Sequence, residues 1–308
     1  MTQYSIDQFS KITGLNKILI RTWENRYNFL KPKRTSTNIR YYNDKMLTKG
    51  IKYAILVNDG YKISKLIKYE DQQINDLIEE KLKLSESVDT KYNIYISRFL
   101  EAALDYNQEL FDKHYNECVK DLGFINFYIH IVTKTMNQIS ILYLNNEIIP
   151  ANEHFLSENI RRQLQHQIAI TKTNIKNKDT WTLFLPENEY HDIGLLFAHL
   201  ILKISNHKII YLGQNTPRES LLDLRNKSKK FLFFLNSKRK KEFLDGLCLF
   251  LNNKIKKSQI YVIDDQEFIK TKYSNIIRIK DLDEFMNILS VKYDSSKNII
   301  DTGKTMSK

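Results

Sequence analysis

The chain has few of the residues that break or staple a fold: its 308 residues include 2 cysteines, 4 prolines and 8 glycines. Cys118 and Cys248 lie far apart in apolar helical patterns. They read as buried free thiols in a reducing cytoplasm, which excludes a disulfide framework. No run of 18 apolar residues occurs, so no membrane span is expected. The opening Met1-Thr2-Gln3-Tyr4-Ser5 has no basic segment leading into an apolar one, and no secretory signal is read there. There is no P-loop and no G-x-S-x-G, and the cysteines and histidines lack zinc-finger spacing. An enzyme is therefore not expected. His114, His130, His166, His199 and His207 are scattered and read as structural or surface residues.

Positive charge is abundant and unevenly spread. The net charge is +12, yet residues 1–69 alone hold 14 Lys and Arg against 4 Asp and Glu. The rest of the chain is close to neutral. A basic end on a neutral body is the electrostatic footprint of phosphate-backbone binding.

Local patterns within this end predict a helix-turn-helix. Ser5 caps a helix through Phe9 and Ile12, Thr13-Gly14 makes the turn, and a second helix runs from Lys17 to Tyr27. Ile18, Ile20 and Trp23 are expected inward, with Lys17 and Arg21 outward. The second helix would enter the major groove. Lys31 to Tyr42 reads as a two-stranded wing, with Arg34-Thr35-Ser36-Thr37-Asn38 at its tip.

The remainder divides by periodicity. Residues 71–90 read as a helix, with Ile74, Leu77, Ile78 and Leu82 on one face, followed by a polar linker from Ser85. Residues 91–175 have long apolar periodicities with almost no Gly or Pro, which predicts a helical bundle. Residues 180–292 alternate short apolar runs with helical patterns. Strands are expected at Thr182–Leu185, Lys208–Leu212, Phe231–Leu235, Ile260–Ile263 and Asn275–Ile279. Helices are expected at 192–205, 217–228, 239–253 and 281–291, with a weaker one at 264–272. Runs apolar on both faces suit buried parallel strands, so a doubly wound, flavodoxin-like α/β sheet follows. The polar tail 293–308 is expected to be disordered. Lys238-Arg239-Lys240-Lys241 reads as a solvated helix start.

Tyr4-Ser5-Ile6, Ile12-Thr13-Gly14, Ile20-Arg21-Thr22-Trp23-Glu24-Asn25-Arg26-Tyr27, Leu30-Lys31-Pro32-Lys33-Arg34 and Asn38-Ile39-Arg40-Tyr41-Tyr42 together resemble the MerR family of winged-helix regulators. Asn28 replaces that family's glycine after the Arg-Tyr pair, and asparagine tolerates the positive φ needed there. The resemblance implies a transcriptional regulator, dimeric on pseudo-palindromic double-stranded promoter DNA and working with RNA polymerase. By position, Lys17, Arg21, Arg26, Tyr27, Arg34, Arg40 and Tyr41 would meet DNA, mostly through phosphates.

Further on, Glu189-Tyr190-His191-Asp192-Ile193-Gly194, followed by Leu212-Gly213 and Thr216-Pro217, resembles a cobalamin-binding domain. The resemblance assigns His191 as the cobalt ligand, oriented by Glu189, with Gly194 admitting a close helix. Tyr143 followed by Glu153-His154 and Arg161-Arg162 is similar to the four-helix cap of cobalamin photoreceptor regulators, with Tyr143 in the place of a Trp. Ser237 matches a residue lining the nucleotide tail. The implied cofactor is adenosylcobalamin or methylcobalamin, and the implied assembly a dimer or tetramer.

Two departures stand out. Asp264-Asp265 occupies the place of a Gly-Gly pair, where two carboxylates would repel a phosphate-bearing tail. Leu144 stands where some light-sensing members carry a second His. Two alternatives stay open at this point. One is a regulator whose cobalamin fold reads another ligand or partner. The other is a corrinoid methyl-transfer protein, which leaves the basic winged helix unused.

Overall fold

In the computed structural model, the described residues are 4–84, 87–144, 150–175, 179–235, 241–264, 269, 273–294 and 299–301. The chain divides into two compact units, Met1–Asn159 and Ile160–Lys308.

The first unit opens with β1 (Tyr4–Ser5), α1 (Ile6–Thr13) and α2 (Lys17–Tyr27). Ser5 and Gln8 form a reciprocal capping box at the start of α1, and Gly14 ends that helix at φ 72°. Asn16 caps α2, which stops at Asn28 in the left-handed region, φ 51°. The asparagine therefore takes the conformation expected of it. Strands β2 (Lys33–Arg34) and β3 (Arg40–Tyr42) form the wing, and β1 pairs with β3 to make three strands rather than the expected two. Tyr4, Phe9, Ile20, Trp23 and Tyr42 form the core of this layer. Ile18 does not join them: it is 72% exposed. Residues two apart on a helix lie about 200° apart, so burying Ile20 turns Ile18 outward.

Helix α3 (Asp44–Asn58) packs on α1 through Gly50. A β-carbon on Gly50 would lie 2.3 Å from the Phe9 ring, so only glycine permits this approach. The short α4 (Ile63–Leu66) and α5 (Asp71–Leu84) follow, with Ile74, Ile78 and Leu82 buried along α5 and Leu77 half-buried. Helix α6 (Val88–Leu104) begins inside the stretch expected to be linker, capped by Ser87. It packs with α7 (Gln108–Leu122), α8 (Phe124–Asn126), a π-helical turn at Phe127–Val132 and α9 (Thr133–Leu144), giving the expected bundle. The start of α10 (Pro150–Ile170) is held to α6, where the buried Asn152 amide donates to the Ala103 carbonyl at 3.0 Å. Arg98, buried on α6, bridges Glu79 of α5 at 2.5 Å and Glu117 of α7 at 3.2 Å.

The second unit is a five-stranded parallel sheet. In chain order its elements are β4 (Thr180–Pro186), α11 (Ile193–Ile204), β5 (Lys208–Thr216), a 3-10 turn (Arg218–Leu224), β6 (Lys230–Phe234), α12 (Lys241–Lys254), β7 (Gln259–Ile263), β8 (Ile276–Ile279) and α13 (Leu282–Ile288). The order β5-β4-β6-β7-β8 is the flavodoxin-like arrangement. Successive β4 residues point to opposite faces. Trp181, Leu183 and Leu185 pack on the side of α11 and α13, while Phe184 packs on the side of α12. Both faces of the inner strands β4, β6 and β7 are covered, which explains their unbroken apolar runs, whereas the edge strand β5 is only partly buried.

All five expected strands are present. The helix expected at 217–228 is only the 3-10 turn. Within the tail expected to be disordered, β9 (Lys292–Asp294) pairs antiparallel with β10 (Ile299–Asp301). Most of 264–272 lies outside the described residues. Both cysteines are buried and free. Among the described residues, no helix is long and apolar enough to cross a membrane.

Candidate DNA interface and cofactor site

The helix-turn-helix and wing expose several basic side chains. Arg21 and Arg26 are exposed on α2, and the Arg26 guanidinium lies 5.7 Å from the centroid of the half-buried Tyr27 ring. Lys17 is exposed on the first turn and pairs with Asp7 of α1. Arg34 stands exposed at the wing tip, donating to Asn38 at 2.7 Å. Tyr41, half-buried on β3, sits opposite Ser5 and Lys33.

Arg40 behaves differently. It faces Arg34 directly across the wing, a like-charge pair that costs stability unless neutralised. Its Nε donates to Glu24 Oε2 at 3.0 Å, and the same carboxylate accepts the Tyr42 hydroxyl. Glu24 is 6% exposed in its side chain. Burial and this bond push the Tyr42 hydroxyl well above the usual tyrosine range. Glu24 thus ties α2 to the wing, and Arg40 serves that tie as well as any phosphate contact. The three residues come from elements 16 to 18 positions apart, a separation with no local sequence signal.

The loop after β4 lies where the strand order reverses, the place at which open α/β sheets bind ligands. His191 Nδ1 is 2.6 Å from Glu189 Oε1, and the Tyr190 and His191 backbone N–H groups donate to the same oxygen at 3.1 and 3.2 Å. Glu189 is 1% exposed and His191 73% in their side chains. A buried carboxylate needs such donors, and in return it fixes the ring with its lone pair on Nε2. The end of β5 braces the loop: Asn215 N donates to Glu189 O at 3.0 Å, and Gln214 Nε2 to Tyr190 O at 2.8 Å. Asp192 accepts from Arg161 of α10 at 2.9 Å. A β-carbon on Gly194 would lie 2.8 Å from the Phe234 ring, so the glycine lets α11 close on β6. An oriented imidazole beside a close-packed helix start fits the donor set that a cobalt-centred cofactor needs.

Other expected residues are placed as follows. Glu153 and His154 share the start of α10, and their side chains approach to 3.9 Å, with His154 71% exposed. Tyr143 and Leu144 fall at the end of α9, but their side chains lie outside the described residues, as do Ser237 and Asp265. Of the Asp264-Asp265 pair, only Asp264 lies within the described residues. It is wholly buried and its Oδ2 accepts the Ile269 N–H at 2.8 Å, with Arg278 Nε 3.8 Å from the same oxygen. Arg278 donates to the Asp264 backbone carbonyl at 2.8 and 3.0 Å, and Asp264 Oδ1 is buried without a hydrogen-bond partner. His114 and His199 are structural, as expected: burial pulls the first down to about 3 and the second to about 4.

A basic winged helix-turn-helix joined to a helical bundle and a flavodoxin-like sheet defines a DNA-binding regulator with its own ligand-binding architecture. Residues 4–73 match the MerR HTH family of regulatory proteins, and residues 95–166 match the B12 binding domain. The chain thus carries a MerR-type helix-turn-helix domain at its amino end, followed by a stretch that matches the B12 binding domain. It is 26% identical over 220 residues to the HTH-type transcriptional repressor CarH of Myxococcus xanthus, covering 71% of this chain and 73% of that protein. The HTH-type transcriptional regulator MlrA of Escherichia coli is 29% identical over 66 residues, 21% of this chain and 27% of MlrA. In fold, the chain is similar to the monomethylamine corrinoid protein of Methanosarcina barkeri (TM-score 0.52, 13% identity), covering 62% of this chain and 94% of that structure. The named relatives in sequence are transcription regulators rather than enzymes.

Proposed function

We propose that this regulator binds pseudo-palindromic promoter DNA as a homo-oligomer and that a cobalamin held by His191 controls that binding. The outward Arg21, Arg26 and Arg34, on a recognition helix and wing braced by Glu24, support the first half. The Glu189–His191 contact carries the second. Glu189, bonded at Nδ1, would leave Nε2 of the imidazole available as the cobalt ligand, and Gly194 lets α11 pack close to Phe234 of the sheet. By the resemblance of the helical region to a cobalamin cap, Glu153, His154 and Tyr143 would also contribute to holding the cofactor. Bound adenosylcobalamin or methylcobalamin supplies a Co–C bond that light can break, and with it a light-dependent signal. A coupling of about 1–3 kcal/mol between cofactor and oligomer state is enough to switch DNA occupancy.

The test is the absorption spectrum of the purified protein mixed with adenosylcobalamin or methylcobalamin. A spectral shift that His191→Ala abolishes supports ligation. No shift, or the same shift in the variant, rejects it. In parallel, duplexes selected from a random pool should bind the whole chain and fail to bind a chain lacking residues 1–70. A second reading, in which the sheet domain serves another ligand or a partner protein, draws on Asp264, whose buried carboxylate fills a place that glycine holds in cobalamin domains. The same cobalamin titration separates the two.

A further inference from the structure

We infer that Ile18 reads the C5-methyl group of a thymine in the major groove of the operator. The inference rests on α2 being the recognition helix. A branched aliphatic side chain 72% exposed on the first turn of an otherwise polar helix face has no folding role: the core beneath is filled by Ile20 and Trp23, at 0% and 3% exposure. The N-terminal turn of a recognition helix is the part that meets base edges.

The neighbours point to the same occupant. Arg21 lies one turn on from Ile18 and is exposed, and Arg26, Lys31, Lys33 and Arg34 continue the basic surface. Such a surface suits a polyanion and repels a basic partner. Thr22, also one turn from Ile18, donates its hydroxyl to the Ile18 carbonyl at 2.8 Å, so it is turned back onto its own helix. Asn16 is likewise engaged, accepting the Ile18 N–H at 2.8 Å. Among the polar groups around Ile18, Arg21 therefore remains to seek a guanine edge, and Ile18 supplies the apolar contact. In the major groove the apolar feature that distinguishes one base pair from another is the thymine methyl. The expected half-site thus pairs a thymine with a guanine a base or two away.

Selection from a random duplex pool supplies the operator. Each thymine of the selected site is then replaced in turn by deoxyuridine, which removes only the methyl. Wild type should lose about fourfold in affinity per half-site at one thymine position, the worth of one apolar carbon removed from water. Ile18→Ala should lose nothing further at that thymine, and should relax selection there alone. The substitution is at an exposed helix position where alanine is favoured, so folding is unaffected. If wild type tolerates uracil at every position, or if Ile18→Ala shows the same uracil penalty as wild type, the inference is overturned while the DNA-binding reading stands. A chain that enriches no duplex overturns both.

Discussion

Glu24→Ala tests whether one buried carboxylate holds the wing to the recognition helix. The substitution removes the acceptor for Arg40 Nε and for the Tyr42 hydroxyl. Tyr42 is 0% exposed, so its hydroxyl cannot turn to water, and an orphaned buried donor costs about 1–3 kcal/mol. Arg40, 23% exposed in its side chain, reaches solvent and adds less than about 1 kcal/mol. The sum is close to 2 kcal/mol, about thirtyfold in a local opening equilibrium. Hydrogen–deuterium exchange of the α2 and β3 amides reads this directly, and should accelerate by about that factor while β4 to β8 stay unchanged. Tyr42→Phe in the same chain should recover part of the loss, because removing both partners of a buried bond costs less than removing one. Unchanged exchange in α2 and β3, or strictly additive costs in the double variant, would refute the tie. DNA affinity should fall alongside, since Arg34 is aimed by the same wing.

Two further outcomes follow from the packing and the titrating groups. Gly194→Ala should lower cobalamin affinity at least tenfold, because its new β-carbon meets the Phe234 ring at 2.8 Å and forces α11 away from β6; Gly194→Ala with Phe234→Leu should restore most of it in the same spectral titration. His114 is held neutral in the fold down to about pH 3, by burial first and then by Arg98, Lys113 and Lys52. The unfolded chain protonates it near pH 6.5, so below that pH the unfolded state binds more protons and stability falls as pH falls. Thermal melts from pH 7 to 5.5 should show a loss of about 1 kcal/mol per pH unit below 6.5 that His114→Asn removes. Glu117, whose carboxylate lies 3.5 Å from the His114 ring, stays in place in that comparison.

Much of this was legible because period and burial coincide. The inner strands β4, β6 and β7 are covered on both faces, so Phe231–Leu235 and Ile260–Ile263 announce themselves as unbroken apolar runs. The Glu189–His191 pair is legible for a different reason: its partners are two residues apart, and a loop brings them together whatever the rest of the chain does. The Glu24 tie is not, since its three members meet only when helix and wing are both built. Ile18 was misread although the spacing held the answer. Three apolar residues at 18, 20 and 23 cannot share one helical face, and the two that fit a turn apart, Ile20 and Trp23, take the core. Where a helix is expected at 217–228 the chain forms only the turn Arg218–Leu224, of whose leucines Leu221 alone is fully buried.

The contact between α3 and α6 has a mechanical consequence. Lys52 of α3 reaches Glu101 of α6 at 2.8 Å, and on its other side α3 touches the Phe9 ring across Gly50, with no room for even a methyl group. Packed interiors transmit displacement instead of absorbing it. A slide of α6 by a fraction of an ångström therefore has a side-chain route, through the partly exposed Lys52–Glu101 pair and α3, to α1 of the helix-turn-helix.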